Sequence, residues 1–308
     1  METTLPTLFD STFLAKLEQL HLLSRKIFRG QQHAERRSRQ TGSSLEFADY
    51  RNYTPGDDLR AVDWNIYGRL NRLFVKLFEA EEDLHVSILL DCSNSMLWLP
   101  EGRPAGALTK FDHARRIAAA LSYIALCNLD RVNLFPFAGK LEQDLGFVRG
   151  KGQFHSVLGF LKALSGTPNV ETAMLASFRT FSQKMKRRGL AFVISDLFSP
   201  EAANALAFLR QQQFEVAALQ ILDEAEIDPA QMADLKGDLE LADTETGATY
   251  LVQGDSSLLA AYREQFQAFT HDLEQNCRRR GIGFLQTTTA VPFEDLVLQV
   301  LRERHLVK

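Results

Sequence analysis

The sequence predicts an α/β protein built on a mostly parallel sheet with helices on both faces. Three observations lead there. Residues 84–90 form a short apolar run, the length of a strand buried on both faces. Similar runs recur at 131–138, 190–195, 215–222 and 284–288, separated by stretches with helical spacing, and that alternation is the pattern of crossover connections. Three of the runs end on an acid (Asp91, Asp196 and Asp223), and ligands of open α/β sheets gather beyond the carboxyl ends of the strands.

Taken in order, residues 11–39 carry Phe13, Leu14, Leu17, Leu20 and Leu23 at helical spacing. Between Arg25 and Arg39 there are six Lys or Arg against one Glu, read as a solvated helix face or an anion-binding surface. Residues 40–43 break the helix. Residues 46–64 then mix aromatic and charged side chains around a Pro55-Gly56 turn, with Arg51, Arg60 and Arg69 interleaved with Asp57, Asp58 and Asp63. This density points to a paired network holding a loop-rich region; a catalytic carboxylate pair is the sharper alternative, and no nearby His or Cys supplies its partner. Residues 73–78 read as a strand leading toward the central one.

After residue 96 a Pro- and Gly-containing loop precedes Thr109, a plausible N-cap with Asp112 three residues on, and a helix to about Leu129. Helices are expected over 153–164 and 170–186, and from Ser199-Pro200 as N-cap and N1. Residues 237–253 interrupt the alternation with a hairpin signal around Thr244-Glu-Thr-Gly247. A helix over 256–279 and a last amphipathic helix over 292–304, with Phe293, Leu296, Val297, Val300 and Leu301 on one side, complete the chain.

Composition narrows the function. The 308 residues suffice for one large domain or two smaller ones, and 45% apolar with 24% charged content is ordinary for a globular protein. A net charge of −4 argues against a general nucleic-acid binder. Cys92, Cys127 and Cys277 are odd in number and far apart, so neither a disulfide framework nor a Cys-x-x-Cys pair is present. No basic-then-apolar leader is visible, and no apolar run approaches the roughly 20 residues of a membrane span. The expectation is a cytoplasmic protein.

The chemistry concentrates at Asp91-x-Ser93-x-Ser95, on the loop leaving the 84–90 strand. A carboxylate and two hydroxyls at alternate positions can converge on one point, and hard oxygen donors suit Mg²⁺ or Mn²⁺. The competing reading is a strand end followed by a serine-rich turn that caps a helix. Thr167, in the Ser165–Asn169 loop, and Asp196 offer further oxygens from later loops. No P-loop, Gly-x-Ser-x-Gly elbow or His-Glu-x-x-His motif occurs.

Asp91-x-Ser93-x-Ser95 with a later loop Thr and a later strand-end Asp resembles the metal-ion-dependent adhesion site of von Willebrand factor A domains. The stretch from Glu46 to Trp64 carries E-F-x-x-Y-R-x-Y-x-P-G-D-D-x-R-x-x-D-W, with Arg69 and Val75-Lys76 after it. It resembles the bacterial family called domain of unknown function 58, in which that pattern precedes a von Willebrand A-like domain. Asp243-x-Glu245-x-Gly247 fits the same family. The resemblance implies a Rossmann-like fold over 81–308, preceded by a helix and loop- or strand-rich extension over 1–80.

It also implies a ligand set in which Ser93 and Ser95 bind Mg²⁺ or Mn²⁺ directly. Thr167 would bind directly or through water, with Thr172 as a weaker substitute, and Asp91 and Asp196 through water. One position is then left for an acidic residue of a partner protein. The implied role is a non-enzymatic interaction module, an adaptor for MoxR-type AAA+ ATPases in chaperone-like assembly. Two alternatives stand beside it: a metal-dependent phosphoester hydrolase using Asp91, and a von Willebrand A-like scaffold without metal.

Overall fold

The computed structural model describes residues 8–35, 41–79, 84–100, 103, 107–140, 143–166, 173–229, 237–242 and 248–302. The chain forms two compact units, Met1–Ile27 with Leu84–Lys308, and Phe28–Asp83. The sequence boundary at residue 80 falls near the second junction, while the first part of the N-terminal helix belongs to the larger unit.

In chain order the elements are α1 (Ser11–Glu35), β1 (Thr41–Asn52), α2 (Trp64–Leu70), β2 (Phe74–Glu79), β3 (His85–Asp91), α3 (Asn94–Leu97) and α4 (Lys110–Cys127). There follow β4 (Arg131–Phe137), β5 (Val148–Arg149), α5 (Phe154–Ala163), α6 (Met174–Lys184), β6 (Leu190–Ser195), α7 (Ala202–Gln211) and β7 (Glu215–Leu222). Last come α8 (Glu224–Ile227), β8 (Gly237–Ala242), β9 (Thr249–Gly254), α9 (Ser256–Arg279), β10 (Gly283–Thr288) and α10 (Phe293–Arg302).

In the smaller unit, β1 and β2 pair antiparallel as a two-stranded sheet. The 73–78 run therefore pairs with β1 and not with the central sheet, and the stretch read as loop up to Asn52 is strand. Each acid of the charge-rich stretch holds local structure. Asp57 pairs with Arg51 at 2.8 Å and accepts from the Thr54 N–H and hydroxyl. The Arg51 bond foremost, then those from Thr54, bring its carboxyl down to about 2. Asp58 accepts from Arg60 N at a short 3₁₀ turn. Asp63 caps α2 through the Asn65 and Ile66 N–H groups and accepts from Tyr50. These contacts are those of a paired network.

In the larger unit six strands lie in the order β10-β7-β6-β3-β4-β5. All adjacent pairs are parallel except β4 with β5, so only the short outer strand runs backwards. Residues at period two on β3, β4, β6 and β7, among them Leu89, Phe135, Val193 and Ala218, bury against α6, α7 and α9 around Phe178, Phe181 and Phe214. On α4, which packs against α5 and α10, every residue from Ile117 to Leu126 is buried. Helices thus cover both faces, as alternation of strand and helix dictates. β8 and β9 form the expected hairpin; its turn, 243–247, lies outside the described residues.

Several sequence expectations shift at element ends. The basic helix ends at Glu35, and residues 36–40 are outside the described set. Ser199 accepts from Glu201 N, but the helix proper begins at Ala202 after a turn. Thr109 and Asp112 form the predicted capping box. No helix among the described residues is long and apolar enough to cross a membrane.

Candidate functional site

The strand order fixes where the site lies. The chain leaves β3 toward β4 on one side and β6 toward β7 on the other, so the connections diverge between adjacent strands β3 and β6. A crevice opens at such a switch point, outside the carboxyl ends. Asp91 ends β3 and Asp196 follows β6. They are 1% and 3% exposed, among the few fully buried acids.

The two strand ends are joined directly. The Ser195 hydroxyl donates to Asp91 Oδ2 at 2.6 Å, and Ser93 N donates to Oδ1 at 2.9 Å, so both carboxylate oxygens are engaged. Burial first, then the charge of nearby Asp196, push the Asp91 carboxyl up to about 7; the Ser195 and Ser93 bonds pull it back only in part. Ser93 stands at the N-cap of α3, yet its hydroxyl makes no cap bond. It is hydrogen-bonded instead to the hydroxyl of Ser95 at 3.1 Å, either group serving as donor. Ser93 thus holds the cap position while its side chain bonds to Ser95 in the same turn and not to the helix end.

The remaining predicted ligand falls outside this view. Thr167 and its substitute Thr172 lie outside the described residues. Gly166, the residue before Thr167, backs onto α3: a Cβ there would lie 2.4 Å from Leu97 Cδ1. The Ser165-Gly166 end of that loop thus abuts the helix carrying Ser95.

Asp196 is held from another side, by a residue that the motif reading does not include. Lys110 opens α4 with its side chain 0% exposed; its Nζ donates to Asp196 Oδ2 at 2.8 Å and to Glu226 Oε1 at 2.5 Å. The Phe198 ring lies 5.6 Å from the ammonium. Burial works against this charge, but the fields of Asp196 and Glu226 outweigh it and hold the lysine above its usual range. Burial also raises Glu226 despite its lysine partner. Lys110 thus sets one buried ammonium between two carboxylates, Asp196 from the end of β6 and Glu226 from α8.

Next along the sheet, Asp223 caps α8 in a capping box with Glu226 and pairs with Arg103 at 2.6 Å. Gln220, fully buried on β7, donates to the Asp196 carbonyl at 2.9 Å, and its own Oε1 has no hydrogen-bond partner among the described residues. Cys92 sits buried with its Sγ 3.6 Å from the Leu90 carbonyl, a packed thiol. His85 lies edge-on to Phe147, a packing contact.

The donors can be tested against a small hard cation. Adjacent ligands of an octahedral Mg²⁺, at about 2.0–2.1 Å each, stand about 2.9 Å apart. The Ser93–Ser95 hydroxyl separation of 3.1 Å matches that edge. Behind the pair, Asp91 is a buried carboxylate with no ion pair among the described residues, and burial raises its proton affinity. No three His, Cys, Asp or Glu among the described residues form a metal cluster. The fit holds for Asp91, Ser93 and Ser95; Asp196 is already shared with Lys110.

Fold and site together define a doubly wound α/β protein with a hydroxyl–carboxylate cluster at its switch point. The family described as "Protein of unknown function DUF58" matches residues 49–276, most of the chain, and the chain belongs to that family. It is similar to uncharacterized proteins of Mycobacterium bovis and Mycobacterium tuberculosis, each 24% identical over 283 residues, covering 91% of this chain and 86% of theirs. Among solved structures, the conserved hypothetical protein BatB from Bacteroides thetaiotaomicron is 15% identical, with a TM-score of 0.45 over 71% of this chain and 96% of that one. A von Willebrand factor type A protein from Catenulispora acidiphila is 12% identical, with a TM-score of 0.37 over 76% of this chain and 43% of that one.

Proposed function

We propose that this chain is a non-enzymatic interaction module that holds Mg²⁺ or Mn²⁺ on Ser93 and Ser95 and uses it to take an acidic side chain of a protein partner. The observation that carries this reading is the pair of hydroxyls 3.1 Å apart beside a buried carboxylate pushed above its usual range. Mg²⁺ keeps several waters and binds through few protein groups, so two neutral hydroxyls with a carboxylate behind them leave it in want of a further anion. Asp91 supplies charge from behind, Asp196 shares its charge with Lys110, and Thr167 is the fifth member by family resemblance.

A carboxylate nucleophile must reach its phosphoester. Asp91 is 1% exposed and is turned toward Ser93 N and the Ser195 hydroxyl, which favours the interaction reading over the hydrolase. One observation favours the metal-free scaffold as the second reading: Lys110 already places a cation on Asp196.

The family resemblance supplies the partner class, a MoxR-type AAA+ ATPase; this chain carries no P-loop of its own. With a purified ATPase of that type, capture by the tagged chain should require Mg²⁺, disappear in EDTA and be lost in Ser93→Glu. Capture that survives both changes contradicts the proposal.

A further inference from the structure

Lys110 is an unusual residue for its place. It opens a helix, where the macrodipole disfavours a cation, and it is fully buried, where an unpaired ammonium is costly. Its partners come from far along the chain, Asp196 from the end of β6 and Glu226 from α8, and the Phe198 ring covers the charge. Asp196 is also the residue after Ser195, whose hydroxyl donates to Asp91 Oδ2 at 2.6 Å, so the two acids end adjacent strands side by side. One acid therefore faces two claims: the ammonium it already holds and the cation proposed at Ser93 and Ser95.

We propose that Lys110 is a tethered counter-cation that competes with the divalent ion for Asp196 and so keeps the site's affinity for the bare ion low. This rests on the reading of Ser93 and Ser95 as ligands. The consequence is local. The ammonium sits on Asp196 Oδ2 at 2.8 Å, so that carboxylate can turn to a divalent ion only by giving up its lysine, and the ion is left with Asp91 as its nearest uncommitted acid and a place for an incoming carboxylate. Lys110 thereby makes the partner's acid, rather than the ion by itself, complete the site. It acts through Asp196 and is a positioning residue.

Mn²⁺ binding to the full chain, read from the free-ion electron paramagnetic resonance signal, tests this. In Glu226→Gln the lysine loses one counter-ion and leans wholly on Asp196, so Mn²⁺ should bind more weakly than in wild type. In Lys110→Met/Glu226→Gln one charge of each sign is removed together, which spares the fold, and Asp196 is released; Mn²⁺ should bind at least about tenfold more tightly. Opposite shifts in the two variants are a signature that a merely structural lysine would not produce.

Equal affinity in wild type and both variants, with binding lost in Ser93→Ala/Ser95→Ala, overturns the role of Lys110 and leaves the serine site standing. Binding by the double variant and not by wild type supports the lysine's role and overturns a cation resident in the native protein. No binding by any of the four proteins overturns both.

Discussion

The two halves of the strand-end cluster start from the same component, a buried aspartate at the end of a parallel strand, and neutralise it differently. On the β6 side Asp196 has a cation built into the chain, Lys110, with Glu226 and Phe198 around it. On the β3 side Asp91 has hydrogen bonds from Ser195 and Ser93 but a proton affinity raised by burial and by its neighbour. Hydrogen bonds orient a buried carboxylate without cancelling its charge; a lysine does both. The β6 half therefore carries its own cation, and the β3 half is where the proposed ion would sit.

The largest effect expected from breaking this contrast is on stability. Lys110→Met leaves two buried carboxylates without their cation and should lose about 3–5 kcal/mol in chemical denaturation, most of it recovered in Lys110→Met/Glu226→Gln. A single variant as stable as wild type would mean that the β6 half is not held by this pair.

His113, one turn further along α4, sharpens the point: it is buried too, its Nε2 has no hydrogen-bond partner among the described residues, and burial, then Arg116, push it down to about 4. Two carboxylates hold the buried lysine above its usual range, whereas at His113 the field of Glu294 does not offset burial and Arg116. Because its folded pKa lies below the unfolded value, the unfolded chain binds more protons between about pH 4 and 6.5. Stability should fall as pH drops through that window, by up to about 3 kcal/mol, and His113→Leu should flatten the slope.

A smaller loss is expected where the two halves are brought into register. Gly189 lies before β6, and a Cβ there would sit 2.2 Å from the His85 carbonyl oxygen at the start of β3. Gly189→Ala should cost about 1–3 kcal/mol, since backbone must move to admit it. Asp91→Asn should change least: without divalent ions it is expected within about 1 kcal/mol of wild type, because removal of an uncompensated charge offsets any weakened bond. Added Mg²⁺ should then separate the two proteins, stabilising wild type alone.

How much of this was legible in the sequence depends on how local each signal is. The helix over 256–279 was readable to the residue, since Asp255 caps it and its apolar stripe runs its whole length. Asp91, Ser93 and Ser95 form one contiguous motif, and the structure brings Ser93 and Ser95 together as read. The β1 strand was missed because Thr41–Asn52 is rich in polar and charged residues, and its pairing with β2 supplies what its composition does not. The one-turn α8 and two-residue β5 are too short to leave a period.

Lys110 was missed for a different reason. A lysine in the first turn of a helix looks like a solvated residue, and its burial depends on groups 86 and 116 positions away. A faint local sign existed: a cation at the dipole-disfavoured end of a helix whose later turns are apolar. Ser195 and Gln220 likewise take their roles from the strand order, which places β3, β6 and β7 side by side.

The central claim is that the β3 half is completed by an outside cation. Thermal unfolding of wild type and Ser93→Ala/Ser95→Ala across a Mg²⁺ and Mn²⁺ titration tests it most directly, because an ion that binds only the folded chain stabilises it by about 2.7 kcal/mol at a hundredfold excess over its Kd. The account predicts a rise in wild type that the double variant loses. An equal rise in both, or none in wild type, would contradict it.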